Sequence, residues 1–470
     1  MLFVSLVFLF LFLPLTLCLY YIFIKNRVMQ NIILFVASLF FYAWGDYEAT
    51  LVLLVSIIIN WFLALIVASC RNNNLSKVAV GIAVFVDIGV LFVYKYLDFS
   101  IAQLNKLGIN IPFRNVTLPI GISFFTFQAL SYVIDVYRGE ECQKNPLYVG
   151  LYISFFPQLI AGPIVRYKTV AEQIYYRKES ISLFSSGAIR FMQGFSKKVL
   201  LANTMAVIAD KAFAMVGNNL TVSFAWLGAL AYMLQIYFDF SGYSDMAIGL
   251  GRMFGFEFEE NFNLPYIAES ITDFWRRWHI SLSSWFRDYV YIPLGGSRTG
   301  KWKTYCNLFV VWLLTGIWHG ANWTFIAWGI LYFLFLVLEK GTLFGDFIKR
   351  KKIVGHIYTC LVVMFLWVIF RADSMIQALI YIKTMIGLSG EPIYTPVTGV
   401  YIIENVVYFI IAIMLAFGFF ENKSKFFRTV DETKQCLVDI SRLASVTICF
   451  VISIVYIVNG TYNPFIYFHF

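Results

Sequence analysis

Residues 307–329 read Asn307-Leu-Phe-Val-Val-Trp312-Leu-Leu-Thr-Gly316-Ile-Trp318-His319-Gly320-Ala321-Asn322-Trp323-Thr-Phe-Ile-Ala-Trp328-Gly329, an apolar run whose one ionisable side chain is His319. A titratable group at membrane depth is costly to bury, so such a residue is read first as functional. The alternative is a helix-packing histidine that hydrogen-bonds a neighbouring carbonyl. Gly316 and Gly320 remove side-chain bulk on either side, which suits a place where another molecule approaches the backbone closely. Of the four histidines in the chain, His279 lies in a different segment, among arginines.

The surrounding composition places that run in a membrane. The chain of 470 residues is 60% hydrophobic and 13% charged, with a mean hydropathy of +0.74, whereas soluble domains carry about 25% charged residues. A spanning helix takes about 20 apolar residues, which leaves room for about ten to twelve spans with loops. The apolar runs are continuous instead of alternating, which excludes a closed β-barrel. The expected fold is therefore all-α: a polytopic protein of the cell's inner or plasma membrane, in contact with lipid, forming one membrane domain over residues 1–470.

The net charge of +9 comes from lysines and arginines in short connections, the pattern of cytoplasmic loops, and not from a nucleic-acid surface. Seven scattered cysteines show no CxxC pair and no metal-ligand spacing, so neither a disulfide nor a metal site is expected. Residues 1–24 carry no charge and Lys25 and Arg27 follow, the reverse of a signal peptide's charge order; an uncleaved helix with its N-terminus outside is the reading. The loop holding Lys95, Lys106 and Arg114 then falls outside, against the charge rule.

Two stretches interrupt apolar runs with proline, glycine and glutamine: residues 118–128 (Leu118-Pro119-Ile-Gly121 through Gln128) and residues 155–167 (Phe155-Phe-Pro157-Gln158 through Gly162-Pro163 to Tyr167). Broken backbone at membrane depth persists only where protein or a wet cavity satisfies it, so both should line an interior. Arg190, Lys197 and Lys198 make part of residues 183–215 interfacial. Asp239 and Asp245, inside an apolar frame, need partners such as a tyrosine hydroxyl or a buried arginine. Catalysis is open to either, but polar glue between helices is the favoured reading. Residues 252–304 are the least hydrophobic part of the chain. Their Trp275-Arg276-Arg277-Trp278-His279 run suits an amphipathic stretch at the interface, and its arginines suit a phosphorylated, anionic donor such as coenzyme A.

A histidine near its unperturbed pKa can serve as general base for a hydroxyl attacking a thioester. His319 could supply the base, and Asn322, Trp318 or the Gly320 backbone N–H the oxyanion donors. No Gly-x-Ser-x-Gly, HExxH or Walker A pattern is present, which leaves serine-hydrolase, zinc-protease and ATPase readings without support.

The motifs follow one another in a specific order. They are Pro119-Ile-Gly-Ile-Ser123 to Gln128, Phe156-Pro-Gln-Leu-Ile-Ala-Gly162-Pro163-Ile-Val-Arg166, and Asp239-Phe-Ser-Gly-Tyr-Ser-Asp245-Met-Ala247 to Gly251. Then come Asn263-Leu-Pro265-Tyr266, Phe274-Trp275-Arg276-Arg277-Trp278-His279-Ile-Ser281-Leu282-Ser283, Trp318-His319-Gly320-Ala321, and the closing Phe465-Ile-Tyr467-Phe. In this order, over nearly the whole chain, they resemble the membrane-bound O-acyltransferase family, and within it the branch of the alginate O-acetyltransferase membrane component. That resemblance implies a tunnel through the membrane with re-entrant or interfacial helices around it. It implies a catalytic His319 and a second functional histidine, His279, beside the donor route. Arg276 and Arg277 would lie near the donor mouth; Trp278 and Asp239 are read beside them as candidate substrate contacts. No cofactor is expected to stay bound. The acyl donor would be acetyl-CoA or a carrier-protein thioester from the cytoplasm. The acceptor would be an exported polysaccharide, reached through an extracytoplasmic relay protein. The D-alanyl transfer protein of teichoic acids shares the Trp-His-Gly core and stands as an alternative. A flippase for lipid-linked sugars is the competing class.

Overall fold

The computed structural model describes residues 1–71, 73–298, 300–419 and 432–460, with side chains of the last stretch described from residue 437. The closing Phe465–Phe468 motif lies outside these residues, as does most of the charged segment between the last two long helices. Every long element among the described residues is a helix. Five helices are long and apolar enough to cross a membrane: Tyr47–Ser69, Asn74–Lys106, Lys352–Arg371, Pro396–Ala416 and Leu437–Asn459. The pair Trp323–Glu339 and Leu343–Arg350, bent by 79°, makes a sixth. The remaining apolar runs, which the sequence reading counted towards ten to twelve spans, fall in shorter or more polar helices. Multi-pass membrane architecture is the result.

The chain forms two compact units. The first comprises Met1–Phe191 and Ser244–Glu259. Its helix Arg27–Ala43 begins where Asn26 Oδ1 accepts from the Met29 N–H at 3.1 Å, and Tyr47–Ser69 where Asp46 Oδ1 accepts from Ala49 at 3.0 Å. These caps satisfy backbone donors that a helix start leaves open. The two interrupted motifs pack on each other: Gly121 has φ +77°, and a Cβ there would sit 2.6 Å from the Leu159 carbonyl oxygen. Only glycine fits both the torsion and the space. Lys95 is not a loop residue. Helix Asn74–Lys106 continues through it, and its ammonium reaches Ser123 Oγ at 3.2 Å, which removes one of the three charges that conflicted with the charge rule. Arg190 pairs with Asp245 at 2.9 Å. Beside that pair, a Cβ on Gly187 would meet the Gly249 carbonyl oxygen at 2.6 Å.

The second unit comprises Met192–Tyr243 and Glu260–Phe470. Lipid is as apolar as leucine, so helices associate in it through close packing and polar contacts. Both are present here. Gly316 of helix Lys301–His319 and Gly329 of helix Trp323–Glu339 bring the two backbones into contact: a Cβ on Gly316 would sit 2.6 Å from the Phe325 carbonyl oxygen, and one on Gly329 would strike the Trp312 carbonyl oxygen. Gly320 is filled by the Phe325 ring. The space these glycines open is thus taken by the chain's own helix, where the sequence reading expected another molecule. Lys198 and Asp239 form an ion pair at 2.7 Å, each side chain 2% exposed. Lys198 is therefore buried and matched by an acid instead of lying at an interface.

Candidate active site

The site in the second unit is built by short helices held end to end. Helix Ile271–Arg277 starts at Ser270, whose Oγ accepts from the Asp273 N–H at 3.0 Å. Its first two N–H groups, on Ile271 and Thr272, are taken by the Glu339 carboxylate at 2.6 and 3.0 Å, and the Thr272 hydroxyl donates to it at 2.8 Å. A carboxylate suits the positive end of a helix. So the C-terminal end of Trp323–Glu339 fixes the helix that leads into His279.

Trp275 and Trp278 do not spread at an interface. Both rings are buried, packed against Trp312, Trp328 and Tyr332 in one case and Phe274, Phe262 and Trp367 in the other. Arg276 is exposed, and Arg277 pairs with Asp273 one turn earlier at 2.9 Å. The indoles face inward and the guanidinium groups outward, which divides the run into a core half and a surface half.

His279 follows with φ +43°, a left-handed backbone that few side chains adopt, at the N-cap of helix Ile280–Phe286. Non-glycine residues in this region mark sites where surrounding structure over-determines the strain. Here Asn261 does so. Its carbonyl oxygen accepts from the Ile280 N–H at 3.0 Å. Its Oδ1 lies 3.2 Å from the Ser281 N–H, 2.9 Å from Ser281 Oγ and 3.1 Å from His279 Nδ1. A backbone N–H only donates, so the Asn261 atom it meets is oxygen, and His279 Nδ1 must carry the proton toward it. The lone pair then belongs to Nε2. Burial also lowers the His279 pKa from 6.5 to about 3, which keeps the ring neutral at physiological pH. Nothing in the spacing of the sequence pointed to Asn261; its one mark was membership of the polar stretch before His279.

His319 ends helix Lys301–His319 and is 7% exposed. Three rings grip it edge to face: Trp318 at 5.0 Å, Trp328 at 5.0 Å and Phe370 at 5.1 Å. The Trp318 ring also lies 6.1 Å from the His279 ring, and Phe240 meets His279 at 4.6 Å. One indole therefore touches both histidines, which brings His279, Trp318 and His319 together from segments 40 residues apart. Trp278 joins the same aromatic cluster through Trp367 at 5.0 Å, itself 5.3 Å from Phe370. Asn322 caps the next helix: its Oδ1 accepts from the Thr324 N–H at 3.2 Å and its Nδ2 donates to the Asp373 carbonyl at 3.0 Å. Asp239 sits beside Phe240 in the chain, paired with Lys198.

A membrane protein with two buried histidines bracketing an indole, one of them held as a single neutral tautomer, has the parts of an acid–base catalyst inside a spanning domain. The model of the membrane-bound O-acyltransferase family matches residues 36–372, and the chain belongs to that family. It is 41% identical to the probable alginate O-acetylase AlgI of Pseudomonas putida, an alignment that covers both chains completely. It is 36% identical to the peptidoglycan O-acetyltransferase of Helicobacter pylori, over 82% of this chain and 79% of that one. It is 31% identical to the teichoic acid D-alanyltransferase of Bacillus subtilis, over 53% of this chain and 65% of that one. The protein is an O-acyltransferase embedded in a membrane.

Proposed function

We propose that the protein transfers acetyl groups from a cytoplasmic thioester towards the hydroxyls of an exported polysaccharide, with His319 as general base and His279 assisting. The observation that carries this reading is the shared contact of Trp318 with both histidines, in a chain similar over its full length to an alginate O-acetylase. In the step, an acceptor hydroxyl attacks the thioester carbonyl while His319 takes its proton. The C–S bond breaks, an ester forms, and the proton leaves with the thiol. His279, with its lone pair on Nε2, is suited to accept a hydrogen bond from the attacking hydroxyl or to orient the acyl group. A neutral imidazole is what either role needs.

Acetyl-CoA or a carrier-protein thioester is the donor in this reading, and Arg276 and Arg277 serve its anionic part at the inner face of the cell membrane. An extracytoplasmic relay protein hands the acyl group to the sugar. Similarity to the Bacillus subtilis protein keeps D-alanyl transfer as the second reading.

The test is the ester content of the exported polysaccharide in cells with wild-type protein, His319→Ala or His279→Ala at matched membrane levels. Loss of acetyl esters with continued polymer export in both variants supports the reading. Esters that persist while export drops make the protein a sugar transporter and overturn it. Release of D-alanine in place of acetate on mild alkaline hydrolysis selects the second reading.

A further inference from the structure

Thr324, Trp328 and Tyr332 recur every four residues on helix Trp323–Glu339, so they share one face. All three side chains are fully buried. Among the described residues, Thr324 Oγ1, Trp328 Nε1 and the Tyr332 hydroxyl have no hydrogen-bond partner. A fourth such atom, Trp275 Nε1, belongs to a ring packed on theirs, 5.6 Å from Trp328 and 5.0 Å from Tyr332.

Three other aromatic polar groups of this unit close on backbone carbonyls. The Tyr266 hydroxyl donates to the Met233 carbonyl at 2.6 Å, the Tyr381 hydroxyl to Ala225 at 2.9 Å, and Trp226 Nε1 to Met385 at 2.8 Å. Buried donors are rarely left unmet, and four along one line call for an acceptor that the protein itself does not supply. The two indoles can only donate. The occupant must therefore present acceptor oxygens, spaced along the helix. The row passes His319 at Trp328, whose ring is 5.0 Å from the imidazole. From there Tyr332 lies one turn, about 6 Å, further along the axis.

We infer that this row is a hydrogen-bonding rail for the acyl donor: an extended thioester whose arm carries amide carbonyls, as a pantetheine arm does. The inference rests on the thioester reading above. Trp328 N–H takes the thioester carbonyl beside His319 and holds it as negative charge develops on its oxygen. Trp275 N–H and the Tyr332 hydroxyl take amide carbonyls of the arm, which would otherwise lose their hydrogen bonds on leaving water. The rail thus sets how far the donor advances before its carbonyl meets the base. The competing account is that the edge-on rings satisfy one another through N–H···π contacts, a purely structural role.

Variants that keep the ring but lose the donor decide between them: Trp328→Phe, Trp275→Phe and Tyr332→Phe, in inverted membrane vesicles carrying the full-length protein and its native acceptor. The probes are S-acetyl-pantetheine, with two amides, and S-acetyl-N-acetylcysteamine, with one, and the readout is thiol release above that of His319→Ala vesicles. Trp328→Phe should lower kcat for both probes by about 10²-fold. Of Tyr332→Phe and Trp275→Phe, one should raise KM about tenfold for both probes, which share the amide nearer the sulfur, and the other about tenfold for the long probe alone. Wild-type kinetics retained by all three variants, with only a lowered thermal midpoint, overturns the rail and leaves the thioester reading intact. No thiol release by the wild type from either probe overturns both.

Discussion

His356 and His279 lie in the same unit and both use Nδ1 in a hydrogen bond, yet their settings differ in kind. His356 sits on the regular helix Lys352–Arg371, half-buried, donating to the Ala268 carbonyl at 3.1 Å with Nε2 3.8 Å from Cys360 Sγ. It is the packing histidine that served as the alternative reading for His319. His279 stands between two helix fragments on left-handed backbone, bonded to a side-chain oxygen that two groups of Ser281 also hold. This packing histidine ties its helix to the loop at Ala268 and specifies nothing further. A histidine whose backbone, tautomer and neighbours are all specified is being aimed.

The comparison breaks first on activity. His279→Gln should lower acyl transfer by about 10²- to 10⁴-fold, the range for a positioned acid–base group, while His356→Gln leaves it within about twofold. Equal losses in both, at matched protein levels, would erase the distinction. Asn261→Leu removes the oxygen that selects the His279 tautomer and should cost about 10²-fold in kcat per folded protein, with a lowered thermal midpoint because the buried donors it served lose their acceptor. Ser281→Ala, which leaves that oxygen in place, should cost less.

A smaller effect is on stability against pH. His279 titrates near 3 in the folded protein and near 6.5 when unfolded. Between those values the unfolded chain binds a proton that the folded one refuses, so stability falls as pH drops through this window, by at most about 1.4 kcal/mol per unit. Thermal midpoints of His279→Gln in detergent should lack that part of the slope, and those of His356→Gln should keep it. The smallest effect belongs to His356 itself. Removing its bond to the Ala268 carbonyl should cost about 0.6 kcal/mol, read from the same midpoints.

How far these features were legible in the sequence follows from how local they are. The membrane class and the burial of His319 were plain, because a lone titratable group in an apolar run is visible without a partner. The indoles of residues 275–278 were assigned to the interface because composition cannot tell an inward ring from one at the lipid surface; the Glu339 cap on the same short helix decides it. Lys198 read as interfacial because its acid, Asp239, is 41 residues away on another helix. Asn261 was silent for a similar reason: a left-handed turn at His279 and the loop before residue 271 break every periodicity that could have linked it to the imidazole.

The glycine contact between helices Lys301–His319 and Trp323–Glu339 has a mechanical meaning. Backbones that touch cannot slide or part without a large loss of packing, so the two helices behave as the arms of a fixed bracket with His319 at one tip. Any breathing that admits a donor and releases its product must then be borne by the other walls. Glu339 ties helix Ile271–Arg277 to the same bracket, so the approach to His279 is held still with it.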